Sequence, residues 1–138
     1  MTLLDAYALV AFLVGGPAAP QVRAILREGD AALASAKLAE ALDVSQRVYG
    51  VSINRAMEVI DPLLESALSL VPLDLTVARG AARIRAEYYH RPSRPISLAD
   101  AVLIASATGE DCIATADPHV LAVANSAGIG SMALPGQD

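Results

Sequence analysis

Short apolar runs alternate along this chain with longer amphipathic segments, and glycine and proline residues separate them. Within the runs, apolar and polar residues do not alternate, which is typical of parallel strands that are buried on both faces. Short apolar strands that alternate with helices predict parallel βα units. The predicted strands comprise residues 3–4, 31–34, 70–73, 112–114 and 131–134.

The longer segments have the spacing and the terminal residues of helices. Ser35 and Ser52 are predicted N-caps, and Asp74 or Thr76 is predicted to begin a later helix. Pro62 predicts a kink or a break in the helix that follows Ser52. Besides the helix that follows Ser52, the predicted helices comprise residues 6–14, 20–28, 35–49, 74–89, 96–108 and 118–126.

This order of elements predicts the fold class and the place to look for chemistry. We expect a three-layer α/β sandwich, with a central parallel sheet of about five short strands flanked by helices. The 138 residues are expected to form a single domain, residues 1–138. In open parallel sheets, reactive groups collect at the carboxyl ends of the strands. The positions directly after each strand are therefore the candidates for a functional site.

The composition excludes several classes of protein. A hydrophobic content of 54% excludes intrinsic disorder, and a net charge of −5 argues against binding nucleic acid through a generally basic surface. Aromatic residues, at 4%, are too few for a base-stacking platform. The single cysteine, Cys112, suits a reducing cytoplasm. Glycine and proline interrupt the uncharged stretch 6–22, so we expect a cytoplasmic protein without a membrane partner.

Four acidic residues stand at positions where they could share a site. Asp5 directly follows the first predicted strand, and Asp117 comes just after the fourth. Glu40 lies near the start of the helix after the second strand. Asp100 projects from an otherwise apolar helical run, where a charge is costly unless it is paired or bound to a metal. Simpler interpretations remain open. Each aspartate could cap a helix, Asp100 in a capping box with Ser97, and Glu40 could be an ordinary exposed residue.

A shared site of this kind predicts metal chemistry. Neighbouring carboxylates repel one another, and a divalent cation relieves that repulsion. With oxygen ligands only, no second cysteine and no paired histidines, Mg²⁺ or Mn²⁺ is favoured over zinc. Two such ions, about 3.5–4 Å apart, can activate water and stabilise the leaving oxygen in phosphodiester cleavage. The predicted reaction is therefore metal-dependent hydrolysis of a phosphate ester.

Four short segments that contain these acids occur in a recognisable order, at residues 3–5, 35–40, 96–101 and 115–117. With them, the chain resembles the PIN-domain ribonucleases, and most closely the toxins of bacterial VapBC toxin–antitoxin pairs. The resemblance covers nearly the whole chain. It implies a PIN-like fold, Mg²⁺- or Mn²⁺-dependent RNA cleavage, a homodimer, and neutralisation by a cognate antitoxin that wraps over the active-site groove.

The resemblance also implies roles for individual residues. The catalytic residues and metal ligands of the family correspond to Asp5, Glu40, Asp100 and Asp117, and Thr115 corresponds to a hydroxyl that supports the metal site.

Two positions depart from the family pattern. Tyr7 stands where a small polar residue is frequent, and Val120 stands where a larger aromatic residue is common. We expect both to affect the geometry of the site or the choice of substrate. Arg91 and Arg94, in a proline-bounded loop before the third acidic segment, are candidates for contacts with RNA phosphates.

Other functions are consistent with parts of this pattern. One is a PIN-domain nuclease that processes RNA without an antitoxin, and another is a catalytically silent interaction module with the same fold. A phosphoacceptor receiver domain also has acids at strand ends, but it needs a lysine at a later strand end. The only lysine of this chain is Lys37. The leading hypothesis is therefore a toxin endoribonuclease.

Overall fold

The computed structural model describes residues 1–136, which form five strands and seven helices. The strands are β1 (Thr2–Leu4), β2 (Ala31–Ala34), β3 (Leu68–Val71), β4 (Cys112–Thr115) and β5 (Gly130–Ala133). The helices are α1 (Ala6–Val14), α2 (Ala19–Arg27), α3 (Ser35–Arg47), α4 (Ile53–Leu64), α5 (Leu75–Tyr88), α6 (Leu98–Ser106) and α7 (Pro118–Ser126).

The five strands form one parallel sheet in the order β3-β2-β1-β4-β5. β1 lies at the centre, where Leu3 pairs with Ala32 of β2 on one side and with Ile113 of β4 on the other. All strands point the same way, so the carboxyl ends of β1, β2 and β4 meet at one edge of the sheet. The predicted central parallel sheet is confirmed.

Successive residues of the central strands pack against different layers of helices. Leu4 and Leu33 belong to a core that includes side chains of α1, α2, α3 and α4. Leu3 and Ala32 belong to a second core with α6 and α7, and Ala34 packs on α5 and α6. Both faces of the sheet are thus covered, which explains why the strands lack polar alternation. The three-layer α/β sandwich is confirmed.

Several element termini differ from the prediction by one or two residues, and three of these differences have a local cause. Ser35 is not an N-cap, because it is the first residue of α3 and its Oγ accepts a hydrogen bond from the backbone N–H of Leu73. β3 ends at Val71, before Pro72, which has no N–H to continue the ladder. α6 begins at Leu98 rather than at residue 96, because Ser97 caps it.

Pro62 lies inside α4, two residues before the helix ends, and the chain stays helical through it. Within residues 1–136, no single helix is long and apolar enough to cross a membrane. The helices α1 and α2, which are bent by 105° relative to each other, are together long and apolar enough to cross one, but only by length and composition.

Candidate active site

All four predicted acidic residues line one open cleft of about 580 Å³ at the carboxyl edge of the sheet. Asp5 follows β1 directly, and Asp117 follows β4 by two residues. Glu40 lies in the second turn of α3, the helix that leaves β2, and Asp100 lies in the first turn of α6. The sheet and its helices thus bring together four carboxylates that are far apart in the sequence.

A lysine side chain occupies the point at which three of these carboxylates meet. The Nζ atom of Lys37 lies 2.9 Å from Oδ1 of Asp5, 2.9 Å from Oε2 of Glu40 and 2.7 Å from Oδ1 of Asp100. The Lys37 side chain is only 1% exposed. A buried ammonium group is therefore paired with three carboxylates at once.

The charge of Lys37 is stabilised by this arrangement. Burial by itself lowers the pKa of the ammonium group, because the charged form loses its hydration. The Asp5 and Asp100 carboxylates, together with hydrogen bonds to Asp100 and Glu40, outweigh burial and raise the pKa of Lys37 above its usual value. Lys37 is consequently a permanent positive charge at neutral pH.

Thr115 connects two of the acidic residues. Its hydroxyl group, fully buried at the end of β4, donates a hydrogen bond to Oδ2 of Asp5 over 2.6 Å. The same Oγ1 accepts a hydrogen bond from the backbone N–H of Asp117 over 3.0 Å. One hydroxyl therefore orients the Asp5 carboxylate and fixes the chain at the start of α7.

The aspartates also cap helices, so the simpler interpretation and the shared site hold together. Asp5 accepts from the N–H of Ala6, and Asp117 accepts from the N–H of His119. Asp100 forms the predicted capping box with Ser97, since each side chain accepts from the backbone N–H of the other. The capping bonds use Oδ2 of Asp100 and leave Oδ1 directed at Lys37.

The two departures from the family pattern have different surroundings. Tyr7 lies on the wall of the cleft, and its hydroxyl group donates a 2.6 Å hydrogen bond to the backbone carbonyl of Pro135. It thereby holds the segment after β5 beside the acidic residues, and Gly136 of that segment also lines the cleft. Val120 is fully buried in the core beneath α7 and is not among the described residues of the cleft wall.

The arginines predicted to contact RNA lie in the loop between α5 and α6. Arg94 is half-buried, its backbone pairs with that of His90, and Arg91 is exposed. Neither arginine belongs to the described lining of the cleft. Their role in RNA binding stays a prediction.

The donor chemistry of the cleft fits a hard divalent cation, because its ionic ligands are carboxylate oxygens. The carboxylate oxygens that meet at Lys37 are spaced to contact an ammonium group. Nζ–O distances of 2.7–2.9 Å exceed the ~2.0–2.1 Å of Mg²⁺–oxygen bonds. Within residues 1–136, no group of three or more His, Cys, Asp or Glu residues is arranged to hold a metal ion as it stands.

Lys37 is the residue of this cleft that sequence reasoning missed. It lies in the first turn of α3, three residues before Glu40, between the apolar neighbours Ala36 and Leu38. A lone lysine at this spacing from a candidate acid was the available signal. The sequence pattern could not show that its side chain points inward.

The fold and the cleft define a class of proteins: parallel α/β sandwiches that gather carboxylates at the carboxyl edge of the sheet. A sequence model described as the PIN domain matches residues 2–126. The chain therefore belongs to the PIN-domain family, whose members are nucleases. Comparison with curated proteins finds no match.

Several solved structures share the fold. FitAcB from Neisseria gonorrhoeae is 25% identical, with a TM-score of 0.69 over 96% of both chains. A toxin–antitoxin complex from Klebsiella pneumoniae is 18% identical, with a TM-score of 0.61 over 85% of this chain and 87% of that one. VapBC2 from Rickettsia felis, bound to a DNA fragment from its promoter, is 16% identical, with a TM-score of 0.69 over 97% and 98%.

Proposed function

We propose that this protein is a metal-dependent endoribonuclease that hydrolyses RNA phosphodiester bonds, and that it is the toxin of a type II toxin–antitoxin pair. The observation that supports this function most strongly is the convergence of Asp5, Glu40, Asp100 and Asp117 on one open cleft of a PIN-family chain. An open cleft suits a polymer substrate, which must enter and leave along its length.

Each group of the cleft has a part in this proposal. The four carboxylates would hold Mg²⁺ or Mn²⁺, which when bound supplies an activated water and stabilises the leaving oxygen. Thr115 keeps the Asp5 carboxylate oriented through its hydroxyl group. Arg91 and Arg94 contact phosphates of the RNA outside the cleft.

One proposed partner, an antitoxin, is supported by a structural neighbour. The Klebsiella pneumoniae neighbour is a toxin–antitoxin complex, which supports a cognate antitoxin for this chain. We propose that the antitoxin covers the cleft, and that the toxin is a cytoplasmic homodimer built from a single domain. A neighbouring reading frame for a small protein, with a basic N-terminal half and an acidic-apolar tail, supports the toxin assignment. Its absence favours a PIN nuclease without an antitoxin.

RNA cleavage by the wild type and by Asp100→Asn, with and without Mg²⁺ or Mn²⁺, tests the nuclease. The amide has the shape of the carboxylate but is a poorer cation ligand, so we expect cleavage to fall by about 100-fold or more. Lys37 keeps its ion pairs with Asp5 and Glu40, so we expect the variant to stay folded.

Asp43→Asn is the matched control, because Asp43 is an exposed acid of α3 that pairs with Arg47 away from the cleft. It should cleave RNA at the wild-type rate. Full activity of Asp100→Asn, or unchanged wild-type cleavage in excess chelator, would contradict the proposed function.

One observation favours a second function, a PIN-fold interaction module without nuclease activity. Lys37 neutralises part of the acidic cluster, which consists of the four carboxylates of the cleft. The cluster therefore does not need a metal ion for its stability. The same assay separates the two functions, because a silent module shows no cleavage in the wild type with either ion.

A further inference from the structure

We propose that Lys37 is the resident cation of the acidic cluster and that it competes with a divalent ion for the same carboxylate oxygens. This inference rests on the proposed function and deepens it, since it assigns the chain a built-in control of metal affinity. Lys37 is thereby a positioning residue of the cleft: it acts through Asp5, Glu40 and Asp100.

The geometry of the Lys37 contacts predicts this competition. The oxygens that Lys37 contacts come from three of the four carboxylates, and they lie 2.7–2.9 Å from one nitrogen atom. A divalent ion bound to the same three oxygens would lie within a few ångströms of a positive charge. The two cations repel each other at that distance, so binding of a divalent ion to these oxygens is weaker while the ammonium group stays in place.

The remaining contacts of the aspartates restrict any adjustment. Asp5 accepts from Ala6 and Thr115, and Asp100 accepts from the backbone of Ser97. These bonds hold both carboxylates in place when the ammonium group moves. The ligand positions for an ion thus persist without Lys37, although the ion must draw the oxygens closer together.

The exposed side of the cluster gives the ammonium group a way out. The Glu40 side chain is 37% exposed, whereas those of Asp5 and Asp100 are 7% and 13% exposed. Lys37 contacts only Oε2 of Glu40, so the ammonium group can move toward solvent beside that oxygen while Oε1 remains for the ion. Displaced in this way, the ammonium group keeps one carboxylate and releases the two aspartates.

The consequence is a cluster that is stable without metal and binds metal weakly. The cleft is lined by four carboxylates and one ammonium group, so it remains negatively charged and still attracts cations. An arriving ion must replace the ion pairs that Lys37 already makes. The wild-type site should therefore be only partly occupied at Mg²⁺ or Mn²⁺ concentrations that would saturate the same site without Lys37.

The wild-type protein offers a direct test, because Lys37 is its only lysine. Labelling with ¹³C-lysine gives a single Hε–Cε NMR signal, which reports the surroundings of the ammonium group. We expect Mg²⁺ to shift this signal, with the same midpoint that calorimetry gives for Mg²⁺ binding. Mg²⁺ binding by calorimetry without a shift of the signal would overturn the proposal.

A variant provides the second arm. Lys37→Met keeps an unbranched apolar stem and removes the charge. We expect this variant to bind Mg²⁺ and Mn²⁺ at least about 10-fold more tightly than the wild type does. Arg47→Met is the control, since it removes a positive charge from the exposed end of the same helix. Its metal affinity should equal that of the wild type.

The outcomes separate this inference from the proposed function. If the wild type cleaves RNA and Lys37→Met binds metal no more tightly, only the role of Lys37 is wrong. If neither protein binds Mg²⁺ or Mn²⁺ and the wild type cleaves no RNA, the proposed function is wrong and the inference falls with it. Should Lys37→Met fail to fold without metal, the NMR titration of the wild type decides.

Discussion

At the scale of single residues, the orientation of the acidic groups depends on a few buried hydrogen bonds. Thr115 is fully buried and serves Asp5 as a donor and Asp117 as an acceptor. A carboxylate that loses a buried donor keeps its desolvation cost without the compensating bond. The Thr115 hydroxyl group is therefore important for both the stability and the geometry of the site.

Replacing Thr115 by valine tests this role. Valine has the same shape but removes both hydrogen bonds, so we expect the free energy of unfolding to fall by about 1–3 kcal/mol. We also expect RNA cleavage to decrease. Urea denaturation measures the first effect, and Thr76→Val, at an exposed position in the first turn of α5, is the control. Wild-type stability in Thr115→Val would show that these bonds contribute little.

At the scale of elements, the position of Asp100 depends on how α6 packs against α5. The two helices are in close contact at Gly80, where an added Cβ atom would lie 3.1 Å from the Cβ of Ala105. Glycine inside a helix costs about 0.5–1 kcal/mol relative to alanine. The close crossing is the reason that a side chain is absent here.

Gly80→Val should therefore be destabilising. We expect a loss of about 1–3 kcal/mol, because the branched side chain pushes α6 and its capping box away from the cleft. Ala82→Val, at an exposed position of α5, should lose less than half as much. Thermal unfolding of both variants checks the difference. Because Ala105→Gly itself costs helix stability, Gly80→Val is measured in both backgrounds: it should destabilise Ala105→Gly less than the wild type, and an equal loss in both would contradict the packing argument.

Helix termini show which features local sequence predicts. Ser52 was expected as a cap, Asp74 was one of two candidates with Thr76, and Ser97 was the cap in the simpler interpretation of Asp100. Each accepts a hydrogen bond from a backbone N–H three residues later. Ser35 has the same kind of side chain, but its partner is Leu73, 38 residues away. A cap is a contact within one helical turn, so it can be predicted from the local sequence. The contact between Ser35 and Leu73 joins segments that only the folded sheet brings together, so it cannot.

At the scale of the whole molecule, the central sheet joins the two helical layers. Leu3 and Leu4 are neighbours in β1 and neither is exposed, yet they belong to different cores. Because one strand supplies both cores, loss of packing on either face should affect the same cooperative unit.

Leu3→Ala and Leu4→Ala test this coupling. Each should lower the free energy of unfolding by about 2–5 kcal/mol, through lost burial and a cavity. Leu75→Ala, at a residue that is 68% exposed, should change it by less than about 0.5 kcal/mol. Both core variants should unfold in a single transition by circular dichroism and by fluorescence of an added reporter. Two separate transitions would show that the layers unfold independently.

The sequence by itself determined the elements, most of their caps, the parallel α/β class and the edge at which the acids meet. These follow from local periodicity and from the rule that parallel strands end at one edge. Only the tertiary structure decided which groups touch across that edge. Lys37 and Asp100 are 63 residues apart, Thr115 and Asp5 are 110, and Tyr7 and Pro135 are 128. Such contacts depend on how the layers are placed and on which way each side chain turns, and no local pattern contains either.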